Sequence, residues 1–429
     1  MLVKFTVENF LSFSNRQEIN FTAEALKEHK EYVHIPYLYD PRARLLKSIA
    51  LYGHNSFGKS NLLKAYAFFL KTIFFSFEFG KSDGYIDVDY FKLNTTNRLK
   101  ETFFEAVFIL RDVEYSYNFK ILEGKVVEEG LWYAESKIRK NYLFQRTNSE
   151  IVISKNWGKE SERISQSLIF TKPHHLFLSV LFSQENIPRL QPIFSWFRGN
   201  LVMAGPMDDS HLKKALMILT QEEYRSTVQK FIENADVGFK TIVEKVDSHT
   251  ANKLKLDKNF LPLLFSDQIS DFEIYTEHEV YNEDLKLESK VFFELLKSES
   301  SGSIKYLVLA CYLTFAIKNG QLIWIDELDS SLHFLLLKKV IQLYNSNLIN
   351  VMGSQMVFTL HNTTLLNNRI FRRDQMYVVD KDKYGRSTLQ KMHTSKKPIR
   401  KDAPIEKNYL DGGVGGISEQ LKDNGNLLF

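Results

Sequence analysis

The stretch "SIALYGHNSFGKSNLLKAYAFFL", Ser48 to Leu70, decides the fold. An apolar run ending at Tyr52 predicts a short buried strand, and the residues from Lys59 to Phe79 predict a helix. Between them "GHNSFGKS", Gly53 to Ser60, fits the pattern G-x-x-x-x-G-K-[ST] in the strand-to-helix context that gives the pattern meaning. Small residues let successive backbone N–H groups curl inward, the helix start adds partial positive charge, and a lysine reaches the outer phosphates. The expected nucleotide contacts are Gly53, Asn55, Ser56, Gly58, Lys59, Ser60 and Asn61, with the Ser60 hydroxyl as a Mg²⁺ ligand.

Working outward, "LIWIDE" runs four apolar residues, Leu322 to Ile325, into Asp326 and Glu327. A buried strand ending in adjacent carboxylates suits a Mg²⁺-nucleotide site, with Asp326 holding the ion and Glu327 activating water. The distance in sequence from Lys59 to Asp326 is too long for a compact P-loop kinase or small GTPase, so a large insertion separates the two halves. A second strand, "QMVFTLH", ends on His361, a candidate γ-phosphate sensor and catalytic partner of Glu327.

Composition frames these motifs. The chain has 429 residues, 44% hydrophobic and 14% aromatic, enough for a large core and about two to three domain-sized pieces. A formal charge of +4 gives no global case for nucleic acid or membrane, so any basic patch is local. The single cysteine, Cys311, excludes an intrachain disulfide framework and fits a reducing cytosol. The N-terminus lacks a signal-peptide layout, and the most apolar stretch, Leu62 to Phe79, carries Lys64, Lys71 and Glu78, so no membrane segment is expected.

The chain divides into an N-terminal lobe (1–155), a mainly helical insertion (156–295), a C-terminal lobe (296–393) and a basic, glycine-containing segment (394–429). In "VEYSYNFKI" the apolar set Val113, Tyr115, Tyr117, Phe119 and Ile121 alternates with polar residues, as in a half-buried antiparallel strand. "ESSGS", Glu299 to Ser303, precedes an apolar helical stripe of Ile304, Leu307, Val308, Cys311, Tyr312 and Phe315. One serine suffices to cap a helix, so this run reads either as a generous cap or as small donors meeting a phosphate.

The order phosphate loop, insertion, Ser/Gly-rich helix start, Asp-Glu strand and His strand resembles an ABC-type ATPase head. "FTVENFLSFS", "ESSGSIKYLVLA", "IDELDSSLH", "FTLHNTTLL", "RRDQMYVVDKDKYGRSTL" and the near-terminal "YLDGGVGGI" together resemble the RecF/SMC-like ATPases of bacterial abortive-infection and antiphage systems, OLD-like but without a Toprim domain. The likeness spans about the first 125 and last 135 residues. It implies an α/β fold, a P-loop ABC-type head with an antiparallel β subdomain and a mainly helical insertion. It also implies that Ser300, Ser301 and Gly302 are a degenerate signature acting in trans on a partner protomer's ATP, and that Asp329 to His333 is the loop after the catalytic acid. ATP, Mg²⁺, a cytoplasmic homodimer or higher oligomer, and an effector of nuclease or toxin type follow from the same likeness. Related heads have a basic residue where this chain has Leu11 and a glycine where it has Ser301.

Two functional classes stay open: an ATPase whose dimerisation regulates an effector, and a RecF-like repair ATPase acting on nucleic acid. The local case for nucleic acid is "KMHTSKKPIRKDAPIEK", residues 391–407, where six lysines and arginines face two acids.

Overall fold

A computed structural model describes residues 1–36, 43–79, 84–136, 139–184, 187–205, 208–235, 237–239, 241–246, 272–330 and 332–417. Two sheets organise them. The first has six strands in the order Leu201–Met203, Leu322–Ile325, Gln355–Thr359, Ser48–Tyr52, Met376–Lys381 and Ser387–Lys391. Its neighbours pair in parallel except the last, an antiparallel edge strand. The second is a seven-stranded antiparallel sheet built from Leu2–Glu8, Gln17–Asn20 and the meander of residues 102–153.

Alternation along the parallel strands divides the interior in two, because successive side chains point to opposite faces. Ile49, Leu51, Leu322, Trp324, Val357 and Tyr377 face the antiparallel sheet, with the helix Lys59–Phe79 between. Ala50, Tyr52, Ile323, Ile325, Met356, Phe358 and Val378 face the other way, toward the helices Ser301–Asn319 and Phe334–Asn345. On the Lys59–Phe79 helix Leu62, Leu63, Tyr66, Phe69, Leu70 and Ile73 are buried at helical spacing. Tyr66 stacks on Trp324 with ring centroids 4.7 Å apart, and Phe5 of the antiparallel sheet meets Tyr66 edge-on at 5.0 Å. Three aromatic rings therefore fix the phosphate-loop helix to the carboxylate strand and to the second sheet.

This is the P-loop α/β arrangement with an antiparallel β subdomain expected from the sequence. The Ser301–Asn319 helix differs from the amphipathic stripe, being buried on all sides from Ile304 to Ile317, Cys311 included. A helix enclosed all round is what a mostly apolar sequence gives once neighbours cover both flanks. The insertion carries strands besides its helices. Helices Gln191–Gly199, Asp209–Leu219 and Glu222–Glu233 are present, but Leu201–Met203 joins the parallel sheet beside the carboxylate strand. Strands Thr241–Val246, Phe272–Tyr281 and Leu287–Glu294 form a separate antiparallel sheet. Leu201–Met203 has only three residues, below the length at which alternation registers in a sequence.

Among the described residues, no helix is long and apolar enough to cross a membrane.

Candidate functional site

The phosphate loop sits between the central strand Ser48–Tyr52 and the helix beginning at Lys59. Gly58 has φ +110°, and a Cβ there would lie 2.4 Å from Ser387 Oγ and 2.6 Å from Ser12 Oγ. Both geometry and space therefore demand glycine. The loop is held from outside. Ser387 Oγ donates to the Phe57 carbonyl at 2.6 Å, Lys381 Nζ donates to the Ser56 carbonyl at 3.1 Å, and Asn61 Nδ2 donates to Ser12 Oγ at 2.8 Å. Asn61, expected at the nucleotide, thus spends its amide on the N-terminal segment. Lys59 Nζ donates to the carbonyls of Gly53 at 2.6 Å and His54 at 3.4 Å. Burial lowers the Lys59 pKa, while the charges of Asp326, Asp329 and Glu327 pull it back up.

Thr359, which sequence reading passed over, knits the carboxylates to the neighbouring strand. Its Oγ1 donates to Asp326 Oδ1 at 2.7 Å and accepts the Glu327 N–H at 2.6 Å. The other Asp326 oxygen accepts from Gly205 N at 3.3 Å, so the insertion too reaches this carboxylate. Glu327 has φ +47°, uncommon outside glycine. Such a conformation persists where the surroundings fix it. Here Thr359 takes the Glu327 N–H, and Lys305 Nζ, on the Ser301–Asn319 helix, donates to its carbonyl at 2.7 Å. Lys305 is buried, which lowers its pKa against the pull of Asp329, Glu327 and Asp326.

Glu327 itself is half exposed, and its Oε1 lies 3.6 Å from His361 Nε2. The backbone N–H groups of His361 and Asn362 donate to Asp329 Oδ2 at 2.7 and 2.6 Å. The loop after the acid thereby fixes the turn carrying His361. One cavity of about 420 Å³ is lined by His54, Asn55, Ser56, Gly58, Lys59, Ser60, Asn61, Glu327 and His361. Chain folding thus assembles the phosphate loop, the acid and the histidine at one place from three adjacent parallel strands, at their carboxyl ends, where open α/β sheets bind ligands.

The candidate signature is elsewhere. Ser300 and Gly302 line a separate cleft with Asn234, Val237, His333 and Lys339. Ser300 Oγ accepts from Ser303 N at 3.1 Å as the helix cap, and Ser303 Oγ donates to the Val237 carbonyl at 2.8 Å. Two of the serines therefore have structural partners, whereas Ser301 is exposed. Glu299 is clasped by His278 Nε2 at 2.7 Å and Thr276 Oγ1 at 2.5 Å from the three-stranded sheet. Ser331, between Asp329 and His333, lies outside the described residues.

Asp382 closes a turn by accepting from Tyr384 N and Arg386 N, each at 2.9 Å. Among the described residues no group of three or more His, Cys, Asp or Glu side chains could hold a metal ion. Ser60 with Asp326 nonetheless suits Mg²⁺ beside a nucleotide, because that ion takes one or two protein oxygens together with phosphate and water.

The family described as "AAA domain, putative AbiEii toxin, Type IV TA system" matches residues 48–367. The chain belongs to this family. That span runs from the phosphate-loop strand through His361. A search of curated proteins finds no match. Among solved structures, the chain is similar to an SMC head bound to the C-winged helix domain of ScpA, at 13% identity and a TM-score of 0.45, covering 92% of this chain and 98% of that one. It is also similar to the SMC head domain from Thermotoga maritima, at 12% identity and a TM-score of 0.41, covering 92% and 99%. It is similar as well to the recombination mediator protein RecF-ATPrS in the RecFOR pathway, at 13% identity and a TM-score of 0.29, covering 91% and 98%.

Proposed function

We propose that the chain is a cytoplasmic Mg²⁺-dependent ATP hydrolase whose ATP-driven dimerisation regulates an associated effector in antiphage defence. The observation that supports it most is the cavity where the phosphate loop, Glu327 and His361 converge, with Asp326 tied beside them through Thr359. Lys59 and the loop N–H groups bind the β- and γ-phosphates. Ser60 and Asp326 hold Mg²⁺, which when bound neutralises developing phosphate charge. Glu327 accepts the proton of the attacking water, and His361 orients the γ-phosphate or that water. Ser300, Ser301 and Gly302, outside this cavity, complete the partner protomer's site in a two-fold dimer. The family description, which names an AbiEii toxin and a type IV toxin–antitoxin system, supports the defence reading and an effector of toxin or nuclease kind.

The deciding experiment compares two variants. Lys59→Ala greatly weakens nucleotide binding in an equilibrium titration while the melting transition stays. Glu327→Gln keeps binding but slows hydrolysis by about a hundredfold or more, so that bound ATP accumulates. Unchanged turnover by Glu327→Gln rejects the assignment.

A second reading, a repair ATPase acting on nucleic acid, draws on one feature: Lys396, Lys397, Arg400 and Lys401 are all exposed on one short segment. Salt-dependent retention of duplex or single-stranded DNA, lost when these four become glutamine, distinguishes it.

A further inference from the structure

The closing "YLDGGVGGI" motif has no place in the chemistry above, yet it packs against the phosphate loop. The short helix Ile405–Leu410 buries Ile405 and Tyr409, and the chain then turns back so that the Gly416 carbonyl accepts the His54 N–H at 2.7 Å. His54 is the second residue of the phosphate loop. The same carbonyl accepts from Tyr409 Oη at 3.3 Å, so one oxygen joins the helix to the loop. The Tyr409 ring meets Tyr52, the residue just before the loop, edge-on with centroids 6.1 Å apart. Gly416 has φ +80°, and a Cβ there would lie 2.4 Å from Val378 Cγ1, 2.9 Å from the Tyr409 ring and 3.5 Å from Gly53 Cα. Only glycine brings the backbone this close.

The other end of the helix reaches the histidine turn. Glu406 Oε1 accepts from Thr363 Oγ1 at 2.9 Å, two residues beyond His361. One element of 13 residues, 405–417, thus touches the phosphate loop at Gly416 and the His361 turn at Glu406.

We propose that residues 405–417 are a strap that positions the phosphate loop and ties its placement to that of His361. The strap rests on the nucleotide-site reading above and adds to it a positioning group for each half of the site. The Gly416 carbonyl holds the loop at the His54 N–H, so its displacement lets the loop N–H groups drift from their inward curl and weakens phosphate binding. Glu406 acts on the turn carrying His361, so its loss is felt in turnover and not in binding.

The test uses the full chain and a fluorescent ATP analogue, with hydrolysis measured in parallel. Gly416→Ala is expected to weaken nucleotide affinity about tenfold, since it both strains the backbone and displaces Val378 or Tyr409. Val378→Ala in the same chain, by removing the nearest methyl, is expected to recover part of that loss, which a general destabilisation would not permit. Tyr409→Phe deletes one hydroxyl and keeps the ring, and is expected to weaken affinity about two- to fivefold, the scale of one hydrogen bond. Glu406→Ala, which removes the oxygen that accepts from Thr363, is expected to lower kcat severalfold with nucleotide affinity within about twofold of wild type. Wild-type affinity in both Gly416→Ala and Tyr409→Phe overturns the strap, provided Lys59→Ala measured alongside loses binding. If Lys59→Ala also binds normally, the nucleotide-site reading fails instead. Should Gly416→Ala not fold, Tyr409→Phe with Glu406→Ala decides: affinity loss in the first and turnover loss in the second support the strap, and the absence of both overturns it.

Discussion

Lys305 Nζ donates a 2.7 Å hydrogen bond to the backbone carbonyl of Glu327, joining the helix that begins at the candidate signature to the residue proposed as general base. Lys305 lies one helical turn from Gly302, so displacement of the signature end moves the group that fixes Glu327 in its left-handed conformation. Replacing Lys305 with methionine keeps most of the volume and removes the donor. Turnover is expected to fall about ten- to a hundredfold, the cost of misplacing a catalytic group by about an ångström. The melting midpoint is expected to hold or rise, because methionine avoids burying a cation. Steady-state hydrolysis and a thermal melt on the same preparation check both, and a variant with wild-type turnover removes Lys305 from the site.

Thr359→Val tests the hydroxyl that serves Asp326 and Glu327 together. The side chain is fully buried and nearly isosteric with valine, so packing is kept while Asp326 loses a donor and the Glu327 N–H loses its acceptor. Unpaired buried polar groups cost about 1–3 kcal/mol, which a denaturant titration resolves. Hydrolysis is expected to fall more than ATP affinity does, since the carboxylates move while the phosphate loop stays.

The in-trans assignment of Ser300, Ser301 and Gly302 is tested by mixing two inactive proteins. Gly302→Asp places a negative charge where the partner's γ-phosphate is proposed to sit, and Lys59→Ala removes the phosphate grip. Heterodimers then hold one doubly damaged site and one intact site. With free exchange, half the dimers are mixed and roughly a quarter of wild-type activity per chain is expected to return if the sites work independently. With exchange verified by an independent label, an inactive mixture leaves two explanations, a site completed within one chain or two sites that must fire together, and a crosslink between positions 59 and 302 of one chain decides for the first.

Lys59 gives a pH prediction with a definite sign. Burial holds its folded-state pKa below the usual lysine value, so the ammonium that grips phosphate is present below that lowered pKa and lost as pH rises through it. ATP affinity is therefore expected to decline on the alkaline side before an ordinary lysine would titrate. In the same window the unfolded chain binds more protons than the folded one, so this group makes stability rise with pH. Nucleotide titrations from neutral to alkaline pH check the first statement. A Lys59→Ala protein, whose residual affinity lacks this decline, isolates the lysine from other groups.

The sequence by itself determined the central fold, because its decisive signals are local. A strand, a glycine-bearing loop and a helix start are contiguous between Ser48 and Phe79, and backbone N–H groups pointed at a phosphate need no distant partner to be recognised. The Asp326–Glu327 strand end and the His361 strand end are equally short-range patterns. What the sequence left open depends on contacts between residues far apart in the chain. Thr359 is an ordinary hydroxyl until strand pairing sets it beside Asp326, and Lys305 looks like one charge on an apolar helix until the helix is enclosed and its ammonium finds the Glu327 carbonyl. Leu201–Met203 is too short to announce itself as a strand, and it becomes one through pairing with Leu322–Ile325. Gly416 could have been any turn glycine, and only the approach of Val378 and Gly53 shows why no side chain fits there. The division follows from range: helix, loop and strand ends are written within a few residues of themselves, whereas hydrogen bonds that aim a catalytic group are fixed only when sheets and helices have packed.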